Sequence, residues 1–220
     1  MPSLRAPVSF DPNRPDFAPY GLTCVHWRPS PMRRPDHHNE VEINFLESGS
    51  LTYLLGGRKT QLAPGRLSAF WAAIPHQVID FSPETEYFVV TIPLQWFLQW
   101  RLPDHLVQNL LQGQLIAEPT TERAVSDTQL FSHWEDDLAT RDADVEKAVL
   151  LEMQARLMRL ALHVPMQAKA SRKRPRIAVV SDHGLNKVEQ MACFIAQNYT
   201  EPLTVQQIGD VVKLHRNYAM

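Results

Sequence analysis

Short runs of β-branched and aromatic residues, separated by turn residues, occupy the chain from Val41 to about Pro93. This pattern is typical of an antiparallel β-domain. Its clearest element is a hairpin of residues 51–55 and 58–62, because Gly56-Gly57 between them can adopt the positive φ values that a tight turn requires. Three more strands are predicted after the hairpin, over residues 66–73, 76–81 and 87–92. Such closely spaced strands bury their interior best by closing into a barrel or by sandwiching.

Helical spacing of the apolar residues begins at Leu94. Four helices are predicted, over residues 94–100, 105–112, 128–139 and 145–163. The last has an apolar side from Val149 to Ala161, and Leu150, Leu151 and Met158 widen it beyond what one core contact requires. Two interpretations stay open: the helix packs on both its own domain and a second subunit, or it is buried within its own domain.

Composition limits the partners of the chain. With 220 residues, 44% of them hydrophobic, it can bury a core and still carry a small appendage. Its formal net charge of -2 gives no overall attraction to DNA or to an anionic membrane, so a DNA contact must come from a local basic surface. The two cysteines, Cys24 and Cys193, lie far apart, which predicts no disulfide and a cytoplasmic protein. No run of about 18 apolar residues indicates a membrane span, and no signal peptide is predicted.

Two helices and a turn are predicted near the C-terminus. Residues 188–199 have apolar positions at helical spacing, and Thr204 with Gln207 has the pattern of a capping box at the start of the next helix. A third helix after Val212 gives a helix-turn-helix, whose third element places its first side chains against base edges of DNA. The side chains expected to contact DNA are Thr204, His215, Arg216, Asn217 and Tyr218. A small helical bundle without DNA binding is the alternative.

The same residues resemble a known family. The segment from Asn198 to Met220 is similar to the first helix-turn-helix of the arabinose-regulator (AraC) family, and residues 65–77 also resemble regulators of this family. The resemblance implies a transcription activator with a cupin-like sensor barrel that responds to a small molecule such as a sugar. Its implied partners are operator DNA, RNA polymerase and a second copy of the chain in a homodimer. Because the chain stops at Met220, only part of the first helix-turn-helix is expected.

The residue patterns and the resemblance together predict an α+β chain: an N-terminal cupin-like antiparallel β-barrel, then helices, then an incomplete all-α helix-turn-helix unit. The predicted segments are an irregular N-terminal arm (1–35), a cupin-like ligand-binding barrel (36–125), a helical dimerisation segment (126–164), a linker (165–186) and a truncated first helix-turn-helix (187–220). The basic residues 172–176 are typical of a solvated linker, and contact with DNA phosphates is the alternative.

The predicted ligand site follows the cupin motifs that the resemblance implies. Asp36 stands where the first histidine of the first motif is expected, His38 and Glu42 follow at the expected intervals, and His76 matches the second motif. Neighbouring aromatic residues supply the apolar wall that ligand pockets favour. The predicted ligand-binding residues are Asp36, His38, Glu42, Phe70, Trp71 and His76.

Two chemistries fit these side chains. They can hydrogen-bond the hydroxyl groups of a sugar, and the resemblance suggests a galactoside; this interpretation predicts no cofactor, no metal and no catalytic residue. Two imidazoles and one or two carboxylates can instead hold a divalent metal ion. The alternative function is therefore a metal-dependent cupin enzyme, a dioxygenase or a sugar isomerase.

Overall fold

The computed structural model describes residues 10–164 and 203–213, together with Met191 and Phe194. Its strands are β1 (Thr23–Trp27), β2 (Glu40–Ser48), β3 (Leu51–Leu55), β4 (Arg58–Leu62), β5 (Leu67–Trp71), β6 (His76–Phe81), β7 (Glu86–Pro93) and β8 (Ile116–Ala117). Its helices are α1 (Leu94–Gln99), α2 (Asp104–Leu111), α3 (Ala124–Thr140), α4 (Ala143–Ala161) and α5 (Val205–Val211). The mixed α+β class predicted from the sequence is confirmed for the described residues.

The strands form two antiparallel sheets. One has the order β1-β7-β2-β5-β8 and the other the order β4-β3-β6. Side chains of both sheets meet in a shared interior that includes Leu46, Leu51, Tyr53, Leu62, Val78 and Tyr87. The predicted closed barrel is wrong for the part of the chain described, since strand pairing leaves two separate sheets with free edges. The architecture is the sandwich that the strand spacing also allowed.

The two sheets are joined at one corner by residues 36–40. Asp36 exchanges backbone hydrogen bonds of 2.8 and 2.9 Å with His76 of β6. The N–H of His38 then donates to the carbonyl of Ala72, and the N–H of Ala72 donates to the carbonyl of Glu40, both at 2.9 Å. The chain thus crosses from the smaller sheet to the larger one through a single bridge. A continuous strand at this place would have been needed to close a barrel.

The helices cover the outer face of the five-stranded sheet. Alternate residues of β2, namely Val41, Ile43 and Phe45, point toward them and are fully buried. Phe131 and Trp134 of α3 pack in the same core. The inward side of α4 consists of Val149, Met153, Arg156, Leu157, Leu160 and Ala161, which includes the apolar positions predicted from the sequence.

One group of buried ions lies on this helical side. Arg156 of α4 donates to both carboxylate oxygens of Asp127 of α3 at 2.7 Å, and its NH2 lies 2.7 Å from Glu118, which follows β8. Each of the three residues is at most 4% exposed. A bidentate guanidinium–carboxylate pair is the strongest geometry for such an interaction. The group therefore ties both long helices to the edge of the sheet.

Two local predictions can be compared with the structure. The hairpin is confirmed, with φ of 53° at Gly56 and 80° at Gly57 in its turn. The N-terminal arm, in contrast, is not irregular throughout, because β1 pairs with β7 in a register that places Thr23 opposite Thr91. This strand is short, lies among prolines and finds its partner far along the chain, so local patterning does not reveal it.

The C-terminal described segment starts with the predicted capping box. Thr204 Oγ1 accepts from the N–H of Gln207 at 3.2 Å, and Gln207 Oε1 accepts from the N–H of Thr204 at 2.8 Å. Met191 and Phe194 of the preceding predicted helix are helical. The predicted linker (165–186) and the predicted DNA contacts His215, Arg216, Asn217 and Tyr218 lie outside the described residues. Among the helices described, none combines the length and the apolar character needed to cross a membrane.

Candidate functional site

Every second residue at the start of β2 is polar and points away from the helices. Glu40, Glu42 and Asn44 are each at most 4% exposed. In the register with β5, Glu42 lies opposite Phe70 and Asn44 opposite Ser68, so these side chains share the inner face of the larger sheet. A buried carboxylate costs free energy unless it is paired and hydrogen-bonded. The polar character of this face therefore requires a specific explanation.

Glu42 is at the centre of this polar cluster. Its Oε1 accepts from Asn44 Nδ2 at 3.0 Å and from the Tyr53 hydroxyl at 3.4 Å. Its Oε2 lies 3.3 Å from His38 Nε2 and 3.5 Å from His76 Nε2. One carboxylate thus joins both sheets and the segment that crosses between them.

The second ring nitrogen of each histidine is also held in place. His38 Nδ1 lies 2.8 Å from Glu40 Oε2, and His76 Nδ1 lies 3.1 Å from the carbonyl oxygen of Ile74. Because a carbonyl oxygen only accepts, His76 Nδ1 carries the hydrogen of this bond. Glu40 is fixed in turn, since its Oε1 accepts from the backbone N–H of Tyr20 at 3.0 Å. Both imidazoles therefore direct Nε2 toward Glu42.

Asp36 completes the cluster on the side of the N-terminal segment. Its Oδ2 accepts from the Tyr20 hydroxyl at 2.8 Å, and Arg14 NH1 lies 3.2 Å from its Oδ1. The Arg14 guanidinium also lies over the Tyr20 ring, 3.6 Å from its centroid. A carboxylate oxygen of Asp36 and one ring nitrogen from each of His38 and His76 lie within 4.8 Å of one another. Residues 14–20 therefore cover this end of the cluster.

The charges in the cluster are distributed unevenly. Burial lowers the pKa of His38, but hydrogen bonds to Glu40 and Glu42 outweigh burial and raise this pKa to about 9. Burial lowers the pKa of His76, and the charge of Glu42 offsets this only in part. Burial raises the pKa of Glu42, yet the two imidazoles and Asn44 bring it below its ordinary value. At neutral pH we expect an imidazolium at His38, a carboxylate at Glu42 and a neutral ring at His76.

The structure brings together most of the predicted ligand-binding residues, although their contact with a ligand stays a prediction. Those in the cluster are Asp36, His38, Glu42, Phe70 and His76, each at most 4% exposed. The rings of Phe70 and His76 are 5.1 Å apart. Trp71 is not with them, because it follows Phe70 on β5 and points to the opposite face, into the helical core.

Five residues of the cluster were not predicted from the sequence: Arg14, Tyr20, Glu40, Asn44 and Tyr53. Glu40 could have been found, because Glu40, Glu42 and Asn44 place polar side chains at every second position of an apolar strand. Nothing local to Arg14 or Tyr20 indicates their role, which depends on the N-terminal segment folding back over Asp36.

A second group of potential metal ligands lies on the surface. His26 Nε2 is 3.0 Å from Glu47 Oε2, and Glu86 is the third member of the group. These side chains are partly exposed, and Glu86 already pairs with Arg28. Exposed groups of this kind gain little from their interactions, so the buried cluster is the stronger candidate site.

Comparisons with known proteins point to one class of protein. The fold is similar to that of the AraC-like transcriptional activator CuxR, with a TM-score of 0.51 and 13% identity over 89% of this chain and 65% of that chain. The chain is a homologue of the melibiose operon regulatory protein of Escherichia coli, to which it is 28% identical over 205 residues in both strain K12 and strain CFT073. The resemblance to AraC-type regulators that the sequence indicates is thereby confirmed.

The sequence match covers most of this chain but a smaller part of the curated relatives. The match includes 92% of this chain but 64% of the curated relatives. No family model matches the chain. Both curated relatives are named as regulatory proteins of an operon.

Proposed function

We propose that this chain is the effector-sensing and dimerising part of a DNA-binding transcription regulator. The observation that carries the proposal is the buried polar cluster around Glu42, which lies inside a domain homologous to a regulatory protein. Buried charges of this kind cost stability compared with apolar side chains of similar size. A ligand-binding role accounts for that cost.

The proposed effector is a small polyhydroxy compound, and a galactoside is the first to test. Carboxylates such as Asp36 and Glu42 accept hydrogen bonds from hydroxyl groups, and the Phe70 ring offers an apolar surface for the C–H side of a sugar ring. The cluster is closed to solvent, so a sugar can enter only if residues 14–20 move away from Asp36. Effector binding would then favour one position of this segment over another, as a regulatory switch requires.

DNA recognition is proposed for the helix-turn-helix that includes α5. Thr204 caps this helix, and Arg216 and Asn217 are proposed to read guanine and adenine edges, respectively, with Tyr218 and His215 beside them. An activator role, with contact to RNA polymerase at a promoter, belongs to the same proposal. None of these steps requires a residue of the polar cluster to touch DNA.

The DNA proposal is tested by comparing two proteins, this chain and the same chain extended through a complete helix-turn-helix domain. Binding to specific and random duplexes is measured at two salt concentrations, because phosphate contacts weaken with salt whatever the sequence. We expect only the extended protein to discriminate between the duplexes. If neither protein binds DNA, the regulator proposal fails.

A homodimer is proposed through the outward side of α4. Apolar residues among its exposed positions, together with the C-cap residue, form a stripe with alternating spacings of three and four residues: Ala148, Leu151, Ala155, Met158 and Leu162. Leu151 and Leu162 are 67% and 81% exposed, which is unusual for large apolar side chains in a row. This is the spacing with which two helices pack along a shared seam.

Sedimentation equilibrium tests the homodimer. Leu151→Glu is expected to shift the protein toward monomer, because it places a charge in the proposed seam. Val125→Glu is the matched control, since Val125 is 76% exposed on α3 and outside the stripe. A wild-type protein that is monomeric, or an equal effect of both substitutions, contradicts the proposal.

A further inference from the structure

A small cavity lies beside β4 and β8, the edge strands of the two sheets. Its volume is about 90 Å³, and it is lined by Gln61, Leu62, Ala63, Arg66, Ser68 and Ala117. We propose that this cavity binds the anionic group of a small molecule, a carboxylate or a phosphate, with Arg66 as the cation. The proposal goes beyond the proposed function, because it adds a second site and does not depend on a sugar binding at Glu42.

Arg66 differs from the other arginines that have a buried nitrogen. Within the described residues, Arg14, Arg66 and Arg156 each have a side-chain nitrogen that is shielded from solvent and lacks a hydrogen-bond partner. In Arg14 and Arg156 other nitrogens pair with carboxylates, at 3.2 and 2.7 Å respectively. The side chain of Arg66 has no hydrogen bond or ion pair with any residue that the structure describes. A shielded donor without an acceptor costs free energy, and an oxyanion would supply the acceptor.

Ser68 offers a second donor to the same cavity. It comes two positions after Arg66, the spacing that places side chains of an extended chain on one face. Ser68 is 1% exposed. Its hydroxyl donates to the carbonyl of Asn44 at 3.5 Å, whereas a usual hydroxyl hydrogen bond is about 2.7–2.8 Å long. The hydroxyl hydrogen is therefore weakly bound and can turn to a closer anionic acceptor.

The backbone holds Arg66 in place without a ligand. The N–H of Gly65 donates to the carbonyl of Leu46 at 2.7 Å, and Leu67 is paired with Phe45 of β2. The φ of Gly65 is 72°, in the left-handed region that glycine adopts most easily. Both neighbours of Arg66 are thus bound to β2. A site whose backbone is already ordered loses less entropy when a ligand binds.

The charge around the cavity favours an anion. Residues 48–79, which contain β3, β4 and β5, include no aspartate or glutamate. Their lysine and arginine residues are Arg58, Lys59 and Arg66. The carboxylate that follows β8, that of Glu118, is already 2.7 Å from Arg156. A surface with charges of one sign attracts ligands of the opposite sign.

The size of the cavity fits one group of a ligand. Its volume of about 90 Å³ is well below the roughly 300–1,000 Å³ of pockets that enclose a whole small molecule. It equals the space of about three water molecules in the liquid, which is enough for a carboxylate or a phosphate group. A guanidinium binds such oxyanions through two parallel N–H donors. The rest of the ligand would then lie outside the cavity.

The test titrates the folded chain in a calorimeter with inorganic phosphate and, separately, with D-galacturonate, at a fixed chloride concentration. Arg66→Gln is expected to weaken binding by about tenfold or more, because charge-assisted hydrogen bonds are lost. Arg66→Lys keeps the charge without the two parallel donors and should lose less. Arg58→Gln is the matched control, since it removes the same charge from the exposed hairpin, and its affinity should stay within about twofold of wild type.

Two further measurements locate the anion. The Nε–H resonance of Arg66 is identified by its loss in Arg66→Gln, and we expect the bound anion to shift it in wild type. Ala117→Leu fills the cavity from an exposed position and leaves Arg66 in place, so it should also weaken binding. Circular dichroism verifies that every variant is folded. An unmoved Arg66 resonance, equal losses with Arg58→Gln and Arg66→Gln, or no binding of either anion to wild type would overturn the site.

The two probes also define the ligand class, and the anion site can fail separately from the effector site. Binding of phosphate alone assigns a phosphorylated ligand, and binding of galacturonate alone assigns a carboxylate. A neutral galactoside that binds while neither anion does overturns the anion site and leaves the proposed function intact. Anion binding at Arg66 without binding of any neutral sugar supports the anion site and contradicts a galactoside as the effector.

Discussion

The two faces of the five-stranded sheet are built from neighbouring residues with opposite chemistry. On β2, Ile43 is fully buried against the helices, while Glu42 and Asn44 on either side of it are buried between the sheets. β5 repeats the contrast, because Trp71 faces the helical core and Phe70 faces His76. A single strand therefore contributes to a hydrophobic core with one face and to a charged cluster with the other.

The contrast shows which face is explained by stability alone. Burying an apolar side chain such as Ile43 stabilises a fold by about 1.5–3 kcal/mol. Burying Glu42 and His38 gains little or nothing, because the loss of hydration offsets their mutual attraction. The outer face thus holds the domain together, and the inner face is where a ligand-binding role has to be sought.

The largest effect is expected from Arg156→Ala. Arg156, Asp127 and Glu118 form the buried ion group that is the exception to the apolar character of the helical side. The substitution leaves Asp127 and Glu118 buried without a cationic partner and should cost about 5 kcal/mol. Urea denaturation measures the loss, and Arg159→Ala on the exposed side of α4 is the control. A cost below about 1 kcal/mol would mean that this group does not hold the helices to the sheet.

Trp71→Ala is expected to have the next largest effect. It should lower the free energy of unfolding by about 4 kcal/mol, because it opens a large cavity in the helical core. Urea denaturation again measures the loss. Trp100→Ala, at a half-buried position, is the control, and its loss of free energy should be smaller. Where the variant stays folded, its effector binding should match wild type. Loss of binding without loss of stability would place Trp71 in the site, as the sequence predicted.

Ile43→Val is expected to cost about 1 kcal/mol, the usual result of removing one buried methylene group. Ile79→Val on the partly exposed face of β6 should change the free energy of unfolding much less. Equal effects of the two substitutions would show that the helical side is less tightly packed than its burial indicates.

Glu42→Gln should have the smallest effect on stability, within about 1 kcal/mol of wild type. Glutamine keeps the shape of the side chain and an acceptor oxygen, and Glu40 still pairs with His38, so no buried cation is left without a partner. Urea denaturation at neutral pH checks this expectation. A loss as large as that of Trp71→Ala would mean that the inner face is as structural as the outer one.

The sequence predicts some of these features and not others. Gly56-Gly57 marks a hairpin by local chemistry, and the spacing of His38, Glu42 and His76 suggested a site that the structure assembles. The separation of Phe70 from Trp71 depends on which face of β5 meets the helices, and this is set by long-range strand pairing. The covering role of Arg14 and Tyr20 is likewise a tertiary contact.

We propose that the inner face of the sheet binds the effector and that the outer face only supports it. The direct test is a thermal-shift screen of galactosides and other sugars on wild type, Ile43→Val and Glu42→Gln. We expect a sugar to raise the melting temperature of wild type and Ile43→Val but not that of Glu42→Gln. A shift of the same size in Glu42→Gln, or no shift with any sugar in wild type, would contradict it.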